Sequence, residues 1–190
     1  DLPRQITSSF GEYRGGRFHA AIDLRTGPIG QKVYAAGDGH VSRIRCSPYG
    51  YGKAVYLALE NGYSVVYGHL DGFEGPLAEY VRTAQHRAKS YTVDLYPEPH
   101  EFPVRKGDLI ARSGETGVGV PHLHYEWRDR AGRPVDPRPL GMDWPDHTAP
   151  VLNKVLIVGK DPSVLLNGSP EPLILTPAVH AADPRRYTLP

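Results

Sequence analysis

Residues 53–69 read KAVYLALENGYSVVYGH. Two runs rich in Val, Tyr and Leu flank Glu60-Asn61-Gly62, and Asn-Gly between β-rich runs is a strong hairpin signal, because the turn needs left-handed backbone that Asn and Gly accept readily. Strands therefore cover Lys53–Leu59 and Gly62–His69. Working outward, Gly39–Cys46 (GHVSRIRC) alternates with Val41, Ile44 and Cys46 toward a core, and the spacing implies an irregularity between Val41 and Ile44. Gln31–Ala36, Leu109–Ser113 and His122–Arg128 read as further strands between recurrent Gly and Pro punctuation. One stretch departs from this texture. Pro76–Ser90 places Leu77, Tyr80, Val81 and Ala84 at helical spacing, with Pro76 suited to a first turn, so a single helix of about three turns is expected. Tyr91–Pro103 then reads as a Pro-rich crossing loop. The fold class is mostly β: an antiparallel sheet core with one inserted helix.

Composition narrows the class further. The chain has 190 residues, 21 Gly and 19 Pro, 39% hydrophobic and 23% charged residues. The glycines follow no three-residue period, which excludes collagen, and the balance is that of a globular chain. No run of about 18 apolar residues exists, so no membrane-spanning helix is expected. A formal charge of +1 gives no pull toward nucleic acid, although an anionic polymer stays open as substrate. The single cysteine, Cys46, excludes an intrachain disulfide and a Cys-rich zinc ribbon, and reads as a small buried hydrophobe. The first residue is Asp1, as a removed leader would leave it. After Leu140 the texture changes. Residues 1–140 read as one domain and 141–190 as a linker (Gly141–Pro150) followed by a β extension. That extension has strands at Val151–Val158 and Pro172–Thr176 and a polar end, His180–Pro190. Two strands in about fifty residues make little core of their own, so the extension either packs on the first domain or begins a truncated second β domain.

Two spacings carry chemistry: His19-x-x-x-Asp23 and His122-x-His124. With nine histidines in the chain, each spacing is ordinary by itself. Strand geometry adds weight. Residues i and i+2 point to one face, so His122, His124 and Glu126 share a polar face while Leu123, Tyr125 and Trp127 face a core. Tyr63, Val65, Tyr67 and His69 share a face in the same way. Two imidazoles and a carboxylate make an open zinc site or a non-haem iron site. Glu126 reads as a solvent-facing strand residue or as a partner of a ligand histidine. His69 alone reads as a hydrogen-bonded strand-end histidine. Asp38 and His40 read as turn and surface chemistry, and Tyr49, Tyr51, Tyr91 and Tyr96 as groove lining or ordinary packing.

Four segments in order resemble the lysostaphin-like (LytM-type) zinc metallopeptidases of bacterial cell walls: Arg17–Asp23 (RFHAAID), Tyr34–Val41 (YAAGDGHV), Tyr67–Leu70 (YGHL), and Lys106–Gly117 running on to Pro121–Glu126 (PHLHYE). The resemblance spans about residues 7–137. It implies one zinc per chain held by His19, Asp23 and His124, with His69 and His122 as non-ligand catalytic histidines, one moving protons and the other stabilising an oxyanion. It also implies a groove over the sheet, hydrolysis of peptidoglycan cross-links with D-Ala bonds favoured over glycyl-glycine, and a secreted or periplasmic location. Ala21 stands where the family has Gly, which is harmless if φ is negative there. Residues 71–103 are longer than in compact members, which leaves open whether their helix walls or covers the groove. Val118-Gly119-Val120 replaces small polar residues. Arg14 and Arg17 read as ordinary exposed arginines that an anionic wall polymer could meet. The rival reading is a non-catalytic or autoinhibited module that regulates wall hydrolases; a third is a secreted peptidase for ordinary proteins.

Overall fold

A computed structural model describes residues 6–142 and 151–190. The chain divides into two compact units, Asp1–Trp144 and Pro145–Pro190. In the first, the strands are β1 (Ile6–Ser8), β2 (Ile22–Leu24), β3 (Lys32–Tyr34), β4 (Gly39–Cys46), β5 (Lys53–Leu59) and β6 (Ser64–Phe73). Helix α1 (Gly75–Ala88) follows, then β7 (Val93–Leu95), β8 (Pro103–Val104), β9 (Leu109–Ser113), β10 (Leu123–Arg128) and β11 (Pro134–Val135). The sheet runs β1-β2-β10-β6-β5-β4-β7 through antiparallel pairs, with β3, β8, β9 and β11 attached to its sides. The β5–β6 hairpin turns at Glu60-Asn61-Gly62, where Gly62 has φ 86° and its N–H donates to the Leu59 carbonyl at 2.9 Å.

The two faces of the sheet differ in kind. One carries the main core, in which Val41, Ile44, Cys46, Val55, Leu57, Val65, Tyr67, Leu123, Tyr125 and Trp127 pack together with Ile22. The other carries only a small apolar group, Ala54, Tyr56 and Val66. On the strands that cross both, alternate residues serve the two faces, so the large side chains sit on one side and leave the other free for polar chemistry. The irregularity expected in β4 is a register shift between Val41 and Arg43. It moves the following residues by one, so Ile44 and Cys46 stay on the core face.

Helix α1 is about four turns long, one more than expected. Pro76 sits in its first turn, and Lys89 closes it in the left-handed region. Leu77 and Val81 are buried against the main core, worth roughly 1.5–3 kcal/mol for each side chain fully removed from water. The segment 91–103 is not only a loop. Val93–Leu95 and Pro103–Val104 both pair with β4 and cover an edge that would otherwise present unpaired backbone. Two- and three-residue strands are too short to show a period, which is why the sequence concealed them.

In the second unit, β12 (Val155–Ile157) pairs with β13 (Leu173–Leu175), at the two strands expected there. The polar end adds a hairpin that was not expected, β14 (Ala178–His180) with β15 (Asp183–Thr188). Among the described residues of this unit none is buried. Most of the expected linker, Gly141–Pro150, lies outside the described residues.

Cys46 is fully buried, and burial pushes its thiol up to about 11. At pH 8 about one thiol in a thousand is then ionised, and the thiolate is the nucleophile. Ellman's reagent should therefore modify the native protein at least about a hundredfold more slowly than the urea-unfolded chain; equal rates would mean that Cys46 is exposed.

Candidate metal centre

The centre lies on the polar face, where β2 and β10 run side by side. Their register places Asp23 directly opposite His124, and His124 opposite Gly68 of β6. A Cβ at Gly68 would stand 3.3 Å from the His124 Cβ, so glycine there gives the imidazole its room. His19 comes from the loop before β2. That loop is pinned by the His19 N–H to the Glu12 carbonyl at 2.8 Å and the Gly11 N–H to the His19 carbonyl at 2.9 Å. Ala21 is fully buried and has no positive φ, so its methyl is accommodated without backbone strain.

His19, Asp23 and His124 are each buried. His19 Nε2 lies 3.2 Å from Asp23 Oδ1, His124 Nδ1 lies 3.3 Å from the same oxygen, and the two ring nitrogens are 3.4 Å apart. Bonds of about 2.0–2.1 Å at tetrahedral angles would separate ligand atoms by about 3.3 Å, so the triangle has the size that zinc requires. Asp23 Oδ1 is buried and accepts no hydrogen bond. The ring nitrogens approach it without directing an N–H at it. A buried carboxylate oxygen without a donor is costly, and a cation at the centre of the triangle would satisfy it.

The other ring nitrogens are already committed. His19 Nδ1 is 3.1 Å from the Ser9 carbonyl and 3.0 Å from Ser8 Oγ; facing a carbonyl it must carry the proton. His124 Nε2 is 3.0 Å from Glu126 Oε2. Both rings therefore present a lone pair to the centre, the carboxylate–histidine arrangement that orients metal ligands. Burial alone would raise the Asp23 carboxyl, but the adjoining His124 and His19 rings when protonated, together with the Arg14 guanidinium, outweigh it and hold the group well below the usual carboxylate range. Arg14 Nη2 reaches Asp23 Oδ2 at 2.7 Å, which leaves only Oδ1 facing the centre. Burial would lower His124, but its contacts with Asp23 and Glu126 raise it.

His69 and His122 stand beside the triad, their ring centroids 4.6 Å apart. His122 Nε2 is 3.7 Å from Asp23 Oδ1. Each ring has its Nδ1 against a backbone carbonyl, His69 at 2.9 Å from Thr116 and His122 at 2.8 Å from Val120. Burial is the main cause that pushes His69 down to about 4, so it is neutral at pH 7. Strict alternation along β6 would send His69 to the core beside Tyr67. It does not go there. His69 has φ 59°, and β5 and β6 shift register between the Val55–Tyr67 and Lys53–Leu70 pairs. This bulge turns His69 toward His124, with a centroid distance of 5.7 Å, and returns Leu70 to the core.

For two residues of the site the structure chooses between readings that the sequence left open, and for a third it corrects the reading. Of the two readings of Glu126, the partner of His124 holds and the solvent-facing residue does not: it is wholly buried and takes hydrogen bonds from Tyr51 Oη at 2.6 Å and Arg128 Nε at 2.7 Å besides its contact with His124. Its place two residues after His124 on a strand was the available signal. Tyr51 packs its ring 4.8 Å from that of His124. Arg14 is no ordinary surface arginine, since it grips Asp23; nothing in its spacing indicates this. Two cavities flank the centre, of about 590 and 570 Å³, and no residue of 71–103 lines either. The helix packs on the core face, so the question of whether this segment walls the groove is answered: it lines neither cavity. Val118 does line the larger cavity and Val120 the smaller.

Residues 17–100 match the profile of Peptidase family M23. The chain is 32% identical over 133 residues to the DD-carboxypeptidase/endopeptidase Mpg of Neisseria meningitidis, covering 70% of this chain and 25% of that protein. It is 36% identical over 142 residues to the peptidoglycan DD-endopeptidase ShyB of Vibrio cholerae, covering 70% and 27%. The chain thus spans about a quarter of the length of these curated relatives. Among solved structures, a zinc-containing peptidase from Vibrio cholerae superposes with a TM-score of 0.53 at 32% identity, over 75% of this chain and 37% of that one.

Bound metal requires both ring nitrogens of the triad unprotonated. Because His124 is raised above the ordinary histidine value, protons compete as the pH falls toward and below about 6.5. Zinc titration against a chromophoric chelator should give one site per chain, with affinity falling at least about tenfold per pH unit there. Glu126→Gln should weaken binding about 10- to 100-fold while the fold is kept.

Proposed function

Because the chain carries a domain of peptidase family M23, we propose that it is a zinc-dependent endopeptidase that hydrolyses peptide cross-links of bacterial peptidoglycan. The observation that carries this reading is the buried triangle of His19, Asp23 and His124, with its donorless carboxylate oxygen, beside two histidines that are not part of it. The names of the relatives, both DD-peptidases, support D-Ala-containing bonds as the substrate class. The peptidase domain is residues 1–140, with 141–190 as an extension of it. The site of action is the cell envelope. No helix among the described residues is long and apolar enough to cross a membrane.

Zinc held by His19, Asp23 and His124 would supply a Lewis acid for the scissile carbonyl and lower the pKa of water. The remaining work falls to the chain. His69 and His122 each keep a proton on Nδ1 through a backbone carbonyl, so in the neutral ring Nε2 is a lone pair ready to accept a proton. The ring that takes that proton becomes a donor at Nε2, able to pass it to the leaving amine or to hold a developing oxyanion. Their closeness lets one ring act as acceptor while the other donates. Arg14 and Glu126 act only through the ligands, by fixing the rotamers of Asp23 and His124.

Isolated sacculi incubated with the protein should release un-cross-linked muropeptides, identified by mass spectrometry. Release should stop with chelator and return with zinc. His69→Ala and His122→Ala should each lower turnover by about a hundredfold or more with zinc still bound at one per chain. Loss of zinc from His122→Ala would overturn the division into ligands and catalytic histidines. Intact sacculi in the presence of bound zinc would overturn the activity.

A further inference from the structure

The larger cavity beside the centre is lined by three arginines, Arg14, Arg17 and Arg45, and by no acidic residue. Arg14 is neutralised by Asp23. Arg17 is exposed at the rim. Arg45 is different: it is half-buried, yet among the described residues it makes no ion pair and no side-chain hydrogen bond. The reason lies in the sheet. Asp94 of β7 stands opposite Arg45 in register. Both oxygens of Asp94, however, are taken by Arg43, at 2.7 and 2.6 Å, and Arg43 is itself packed over Tyr56 and Tyr96. The acid that could pair with Arg45 is therefore already engaged by Arg43; Arg45 keeps a longer-range attraction to Asp94 and Tyr56 and lines the cleft without a direct ion pair.

Its position relative to the centre follows from strand order. Asp23 pairs with His124, His124 with Gly68, and across the hairpin Ala54 of β5 pairs with Arg45 of β4. Ala54 lies opposite the His69 bulge, between the Lys53–Leu70 and Val55–Tyr67 pairs. One row of the sheet thus runs from the metal ligands to Arg45 over residues with little side chain, with the Tyr51 ring lying against Gly68. Strands are about 5 Å apart, so Arg45 Cα stands about 14 Å from His124 Cα. An extended peptide advances about 3.3 Å per residue. A group that meets the guanidinium is then two to four residues from a bond held at the centre.

We propose that Arg45, with Arg17 at the rim, forms a carboxylate-binding subsite, which makes the preferred substrate a peptide with a free carboxylate two to four residues from the scissile bond. This rests on the peptidase reading above. A guanidinium forms bidentate, charge-assisted hydrogen bonds with a carboxylate and not with the corresponding amide. The smaller cavity has Glu12 and Asp23 against Arg14 and Arg25 in its lining, a balanced charge, so the anionic part of the substrate lies on the Arg45 side.

The test uses the zinc-loaded protein and a purified cross-linked muropeptide dimer in two forms, free acid and fully amidated. Binding is measured by calorimetry with His122→Ala, in which turnover is suppressed. Cleavage is measured with the unmutated protein. The free acid should bind about 10- to 100-fold more tightly than the amide, and addition of Arg45→Gln should bring the two affinities together. Arg45→Lys should restore part of the difference, and Arg87→Gln, on the exposed face of α1, should leave it unchanged. Equal affinity for acid and amide, or a preference that survives Arg45→Gln, would overturn the subsite, as would failure to bind either form. The peptidase reading fails separately, when the free acid binds in an Arg45-dependent way but the unmutated protein does not cut it.

Discussion

The pairing of Asp23 with His124 across β2 and β10 is the constraint on which the centre depends. In an antiparallel ladder, residues directly opposite each other have side chains on the same face with Cβ atoms about 4.5–5.5 Å apart. A carboxylate and an imidazole on such a pair meet without further adjustment, and only His19 has to be supplied from a loop. The same register fixes the neighbours. His124 faces Gly68, so the ring is not crowded, and Glu126 follows two residues on, directly below it on the same face. A slip of one residue would send both His124 and Glu126 into the apolar core. The large apolar set on the opposite face, Leu123, Tyr125 and Trp127, makes that slip unfavourable. The core thus specifies the chemistry by specifying the register.

Two local costs are carried for this arrangement. His69 adopts a left-handed backbone, which costs a non-glycine residue about 1–2 kcal/mol. What it gains is direction, since the bulge takes the ring out of the core face and sets it against His122. Glu126 is a fully buried carboxylate, and an unpaired charge there would cost several kcal/mol. His124, Tyr51 and Arg128 share that charge and hold the carboxyl below the usual range despite its burial. The result is a rigid support for His124, linked through Tyr51 to the cleft wall. The Tyr51 carbonyl also accepts the His69 backbone N–H at 2.8 Å, so one loop between β4 and β5 supports His124 and His69 together.

The inserted segment illustrates how a local reading can find an element and leave its place open. The helical period of Leu77, Tyr80, Val81 and Ala84 is plain, because an amphipathic helix must show its buried stripe. That stripe says the helix packs on something apolar. It does not say on which face of the sheet. The structure puts it on the core face, away from both cavities at the centre. The short strands after it, β7 and β8, gain their stability from the edge they cover and carry no periodic signal of their own.

The amino-acid sequence by itself determined the strands with a clear period, the Asn-Gly hairpin, the helix and the five histidine and aspartate positions that converge at the centre. These are local facts: alternation, turn chemistry and ordered motifs are written over a few residues each. Only the tertiary structure decided which face each element serves, where His69 points, that Glu126 is buried, that Arg14 holds Asp23, and that Asp94 pairs with Arg43 and not with Arg45. Each of those depends on which strand lies beside which and in what register. That is set by the packing of the whole core, and no short window of sequence contains it.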